Sequence, residues 1–271
     1  MRHTRQNSAK ISRQSPKGLP HQGKRAGGVQ LFGFHAVAAA WLNPARHCQR
    51  LLLTQGSIRQ FETLIAQAKK LGLKRPAPET VDGRVIDKQL PSGTVHQGIL
   101  LEAENLPDKE LDDLLQMTQL PKSLVVLDQV TDPHNVGAIL RSACAFGIGA
   151  VLVTERNAAT QTGVLAKTAS GALEHTPIIR IGNLSQSLKK LQGAGYWCIG
   201  LDETGEHALH QIKMPAKVAL VLGAEGEGLR RLTIESCDEI AKLPTMPPVG
   251  SLNVSNAAAV AIYEVMRQMK N

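Results

Sequence analysis

LDQVTDPHNVGAILRSACAFG, residues Leu127 to Gly147, decides the fold of this chain. An apolar run ends at Leu127, a polar turn of Asp-Pro-His-Asn follows, and a helix of small and apolar residues reads from Val136 to Phe146. Asn135 stands near the start of that helix, where asparagine caps well. Capping does not account for Arg141, two turns further on. An arginine on such a helix either faces solvent or grips a phosphate with its planar fork of donors.

Working outward, apolar runs alternate with helical segments through the rest of the chain. The runs are Leu124–Leu127, Ala150–Val153, Ile178–Ile181, Trp197–Leu201, Val218–Leu222 and Glu239–Leu243. Helices are predicted at Gly163–Ser170, Leu184–Leu191 and Ser255–Met269. Each run is continuous in apolarity rather than alternating, as in strands covered on both faces, which predicts an α/β fold with a mostly parallel sheet. Upstream lies a smaller α/β unit over residues 29–104, with a helix from Phe32 to Leu42, a strand Arg50–Leu53, a helix Ile58–Leu71 and a run Gly98–Ala103. Residues 105–122, bounded by prolines and charged, read as a linker that includes a short helix, and residues 123–271 form the second domain.

The net charge of +8 is concentrated at one end. Residues 1–28 carry seven Lys or Arg and no acid, leaving 24 basic against 23 acidic residues elsewhere. Such a tail, rich in Ser, Gly and Pro, reads as disordered. It is either a phosphate-attracting arm or a solubilising extension. Prolines at 16 and 20 argue against a transit helix, and no apolar core for a secretory signal follows the basic residues. No run approaches the roughly 18 apolar residues of a membrane span, so the expectation is a cytoplasmic protein. The four cysteines are scattered without zinc-ligand spacing and read as buried thiols. His207 and His210 read as part of a polar loop rather than a metal site.

In open parallel sheets, ligands bind beyond the carboxyl ends of the strands. Two more loops in such positions are unusual. Val221–Leu229, VLGAEGEGL, has three glycines that permit close backbone approach, with Glu225 between them; no Gly-Lys-Ser/Thr follows, so it is not a triphosphate loop. Leu243–Gln268, LPTMPPVGSLNVSNAAAVAIYEVMRQ, crowds Ser251, Asn253, Ser255 and Asn256 into the approach to a long helix, more polar side chains than one helix start needs. Together the loops offer amides, hydroxyls, one Arg and one Glu, without a nucleophilic dyad, a metal cluster or paired carboxylates. That chemistry suits orienting two partners rather than covalent catalysis.

The segments NVGAILRSACAFG, VLGAEGEGL and LPTMPPVGSLNVSNA resemble, in order, the three motifs of the SpoU (TrmH-type) RNA ribose methyltransferases. The smaller unit, with GFHAV at Gly33–Val37 and HQG at His96–Gly98, resembles the RNA-binding domain of the subgroup that methylates guanosine in 23S ribosomal RNA. The resemblance implies a trefoil-knotted sheet, a topology that connection rules disfavour, and methyl transfer from S-adenosylmethionine to a ribose 2′-hydroxyl of structured RNA. It implies a homodimer with the active site near the subunit interface, and no metal. It further implies that Leu222, Gly223, Glu225, Gly226, Leu243, Ser251 and Leu252 form the S-adenosylmethionine pocket, while Asn135, Arg141, Glu225, Ser251 and Asn253 form the catalytic surround. A guanidinium is effectively always protonated, so Arg141 is expected to bind the neighbouring phosphate rather than act as a simple base. The same reaction on transfer RNA, and a silent RNA-binding or ribosome-assembly factor, stand as alternatives. A dinucleotide-dependent dehydrogenase fails for want of Gly-x-Gly-x-x-Gly after the first strand.

Overall fold

The computed structural model describes residues 28–154, 162–248 and 250–269. The basic tail, up to residue 27, lies outside them. The smaller unit runs β1 (Gly28–Phe32), α1 (Phe34–Leu42), β2 (Cys48–Leu53), α2 (Gln55–Lys70), β3 (Glu79–Thr80), α3 (Gly83–Asp87) and β4 (Ile99–Glu104). Its sheet has the order β1-β4-β2-β3, with β4 antiparallel to both neighbours in the centre. Strand β1 was not expected. Gly28 opens a strand instead of ending a tail, and Phe32, read as the start of a helix, closes that strand. Pairing of all five residues with Phe32↔Leu100 to Gly28↔Glu104 supplies what local pattern lacked.

The segment between the units is seated rather than free. α4 (Leu111–Leu115) buries Leu111 and Leu114 against the large sheet. Lys109 forms a parallel bridge with Ile179 at that sheet's edge.

The larger unit continues β5 (Ser123–Leu127), α5 (Pro133–Phe146), β6 (Ala150–Thr154), α6 (Gly163–Thr168), β7 (Ile178–Ile181), α7 (Leu184–Gly193), β8 (Trp197–Leu201), β9 (His207–Ala208), β10 (Val218–Leu222), α8 (Arg231–Ile234), β11 (Glu239–Lys242) and α9 (Val254–Met269). Seven strands pair in the order β7-β6-β5-β10-β8-β11-β9, every pair parallel. Successive side chains point to opposite faces. Val125, Leu127, Leu220 and Leu222 thus pack with α5 and α9, while Leu124, Val126, Ala219 and Val221 pack with α7. Burial on both faces is why these strands read as unbroken apolar runs.

The start of α5 differs from the reading above. Asp132 is the cap, accepting a hydrogen bond from the His134 N–H at 3.0 Å, and Pro133 fills the first helical position. Asn135 therefore lies inside the first turn, and its side chain is released from capping.

Among the described residues no helix is long and apolar enough to cross a membrane. All four cysteines are free; Cys48 and Cys198 are buried, Cys144 and Cys237 half-buried. Burial pushes the Cys48 and Cys198 thiols up from their ordinary range and Cys237 to about 12. Native protein treated with iodoacetamide at pH 8 should therefore leave these three unmodified, whereas denaturant exposes all four to alkylation. Labelling of Cys198 as fast in the native as in the denatured protein would contradict this packing.

Candidate active site

Three loops meet at the carboxyl edge of neighbouring strands β8, β10 and β11 and enclose a cavity of about 440 Å³. That volume is in the usual range for a small-molecule site. Leu222, Gly223, Glu225, Gly226, Leu243, Ser251, Leu252 and Asn253 all line it.

The loop after β10 folds back as a tight bridge: the Ala224 N–H donates to the Gly228 carbonyl at 3.2 Å, and the Gly228 N–H to the Ala224 carbonyl at 3.0 Å. Gly223 lies so close beneath this bridge that a Cβ there would fall 2.1 Å from the Gly228 carbonyl carbon. Gly228 itself has φ +65°, a conformation that side chains disfavour. Two carboxylates hold the loop's exit. The Asp202 carboxylate accepts from the Leu229 N–H at 3.3 Å and from the Thr204 N–H and hydroxyl at 3.0 and 2.7 Å. Burial alone would raise the Asp202 carboxyl, but those hydrogen bonds outweigh it and hold the group below its ordinary range. Asp128, fully buried just after β5, accepts from Arg230 Nε at 2.7 Å, from the Arg230 N–H at 3.2 Å and from the Thr233 hydroxyl at 2.6 Å.

Asn253 joins the loop after β11 to the first turn of α5. The Ser255 N–H can only donate, so the Asn253 Oδ1 faces it at 2.9 Å and also accepts from the Ser255 hydroxyl at 2.6 Å. Its amide nitrogen then points the other way, donating to Asn135 Oδ1 and to Glu225 Oε2, both at 3.1 Å. One side chain thus caps α9 and ties together α5 and the glycine loop. The Asn135 amide nitrogen remains unengaged among the described residues, a donor beside the cavity mouth.

Arg141 is not brought into this group. It is exposed, has no hydrogen bond or ion pair among the described residues, and does not line the cavity. It sits about 9 Å along α5 from Asn135 and about 120° around it. The sequence reading also missed Asp202, Glu203 and Thr204, which line the cavity from the loop after β8. Their signal was positional: they follow a strand that neighbours β10. With Glu225 and Glu227, four carboxylates and no Lys or Arg line the cavity among the described residues, so it is suited to a cation and repels phosphate.

Residues 122–263 match the SpoU rRNA Methylase family, and residues 30–109 match a domain described as RNA 2′-O ribose methyltransferase substrate binding. The chain is 41% identical, over 88% of its length and 96% of the relative's, to the 23S rRNA (guanosine-2′-O-)-methyltransferase RlmB of Yersinia pestis. It is 39% identical to the protein of that name from Coxiella burnetii, over 88% and 95%. In fold it is similar to the SpoU methyltransferase AviRb of Streptomyces viridochromogenes in complex with AdoMet, at TM-score 0.73 and 22% identity, covering 94% of this chain and 95% of that one. With its three loop motifs gathered at one sheet edge and both domain types matched, this chain belongs to the SpoU rRNA methylase family.

Proposed function

We propose that this protein transfers a methyl group from S-adenosylmethionine to the ribose 2′-hydroxyl of a guanosine in 23S ribosomal RNA, acting in the cytoplasm. The observation that carries this reading is the pairing of an acidic cavity with the Asn135–Asn253–Glu225 cluster at its mouth. Bound there, S-adenosylmethionine would supply a methyl group on a positively charged sulfonium. The residues fit it: Gly223, Leu243 and Leu252 offer backbone and apolar surface, while the surrounding carboxylates favour its charge.

The protein's own part is orientation and charge placement. The unengaged amide nitrogen of Asn135 would hold the attacking hydroxyl, with Asn253 keeping that amide turned to it. Because the cavity is acidic, the RNA phosphate must be received elsewhere. Arg141, exposed and without a hydrogen bond or ion pair among the described residues, takes that role and would stabilise charge at the acceptor as its hydroxyl proton passes to solvent.

The chain acts as a homodimer in this reading. Val260 and Tyr263 of α9 are 51% and 55% exposed, and Tyr263 stacks edge-on with Phe146 of α5, so the two helices share an apolar outer surface. A second copy packed there would bring its own Arg141 toward this copy's cavity. The trefoil knot implied by the family motifs belongs to the same reading, as the device that holds the Leu243–Asn253 loop against β10.

The test is incubation of purified protein with labelled S-adenosylmethionine and separate pools of unmodified 23S, 16S and transfer RNA, followed by mapping of the protected ribose. Label on one guanosine of 23S RNA is expected. Label on transfer RNA alone would move the reaction to that substrate, and donor binding without transfer to any pool would make the protein a silent factor.

A further inference from the structure

The substrate-binding unit is locked onto the catalytic unit through α6. Gly163, the first residue of α6, lies so near β1 that a Cβ would fall 2.2 Å from the Gln30 carbonyl oxygen and 2.5 Å from the Phe32 ring. On the other side of α6, a Cβ on Gly137 of α5 would fall 2.8 Å from the Leu165 carbonyl oxygen and from Thr168 Cβ. Neither contact leaves room for sliding. Lys167 of α6 reaches the Val95 carbonyl of the smaller unit, and Thr168 lies 3.4 Å from the ring of His134, the residue before Asn135. A shift of the smaller unit therefore acts on the helix that presents Asn135.

The orientation of this stack is set behind it by a buried ion pair. Glu174 ends the short 3₁₀ turn Ala172–Glu174, and its carboxylate receives Arg46 Nη2 at 2.5 Å, Arg46 Nε at 3.2 Å and Asn43 Nδ2 at 2.7 Å. The Arg46 and Glu174 side chains are 0% and 2% exposed. The remaining arm of Arg46 donates to the Glu104 carbonyl at 2.8 Å, at the end of β4. A buried pair adds little net stability over an apolar one. A two-pronged guanidinium–carboxylate contact does fix distance and angle together.

We propose that Arg46 and Glu174 are positioning residues that select which nucleotide is methylated. They hold the RNA-binding unit in one register, so that a strand gripped by it presents a single ribose to Asn135 and Asn253. A displacement by one nucleotide offers the neighbouring ribose instead. The inference rests on the RNA-methylation reading and adds the determinant of its site choice.

Glu174→Gln removes the charge at constant size, and Arg46→Lys keeps charge but loses the fork. Three measurements are made on each full-length variant: affinity for S-adenosylmethionine, single-turnover methylation of 23S RNA with a map of every modified ribose, and small-angle scattering without RNA. Donor affinity within about twofold of wild type is expected, with a roughly tenfold or greater loss of rate at the wild-type nucleotide, new methylation at adjacent riboses, and a larger radius of gyration. An unchanged rate and a single unchanged site in both variants would overturn the proposal. So would loss of donor binding in parallel with rate, which marks general damage. Scattering reads the lock without any RNA, so a wild-type protein that methylates no RNA would fail the functional reading separately, while unchanged scattering in both variants would fail the lock.

Discussion

Gly223→Ala is expected to weaken binding of S-adenosylmethionine strongly while leaving the sheet folded. The added Cβ would lie 2.1 Å from the Gly228 carbonyl carbon and 2.5 Å from the Leu229 nitrogen. Both are backbone atoms, so no side-chain rotation relieves the clash, and the bridge between Ala224 and Gly228 must open. Overpacking of this kind costs about 1–3 kcal/mol or more, and here it falls on the turn that forms a wall of the cavity. A decline in affinity of roughly a hundredfold follows, read by calorimetric titration beside a thermal melt. Gly193→Ala, at the end of α7 and away from the cavity, is the control: a Cβ there meets nothing within 4 Å, so donor affinity should stay at the wild-type value. Wild-type affinity in Gly223→Ala would show that the donor binds elsewhere.

Arg141→Ala should lower the methylation rate by about a hundredfold to a thousandfold, the usual scale for losing one preorganised charge. Donor affinity should be unchanged, since Arg141 does not line the cavity. Arg141→Lys keeps the charge but not the fork, and methylation by that variant at the wild-type rate would refute the assigned role. Mixing inactive variants distinguishes a residue acting in its own subunit from one acting in the partner. Asn253→Ala disables the site of its own copy, by breaking both the Asn135 and the Glu225 contacts. If Arg141 serves the other copy, random reassortment with Arg141→Ala leaves one complete site in half of the dimers, or roughly a quarter of wild-type activity. No recovery on mixing would place Arg141 at its own subunit's cavity.

The larger sheet was legible because its strands are covered on both sides. Ile178–Ile181, Trp197–Leu201 and Val218–Leu222 have the bounds expected of them, and the other three runs differ by one residue each. The cavity is legible because its unusual polar residues fall at strand ends, where backbone groups are free to meet a ligand. Asp202 escaped for an ordinary reason. In D-E-T-G-E it looks like a solvated turn, and only the adjacency of β8 to β10, strands some twenty residues apart, turns it toward the glycine loop. Asp128 and the Arg46–Glu174 pair escaped because their partners lie 102 and 128 residues away. Asn135 stands near the helix start as expected, but the capping role belongs to Asp132 with Pro133 behind it, and the Asn135 side chain is instead held by Asn253, 118 residues distant.

The double duty of Asn253 bears on how the protein comes into being. The cluster it completes draws Asn135 from one third of the chain and Glu225 from another, yet waits for the residue that also starts the last helix. During synthesis the sheet's earlier strands emerge first, and the reactive assembly is finished only as α9 winds. A polypeptide cut short before that helix would hold much of a sheet but lack the means to align an acceptor, so abortive products are born inert.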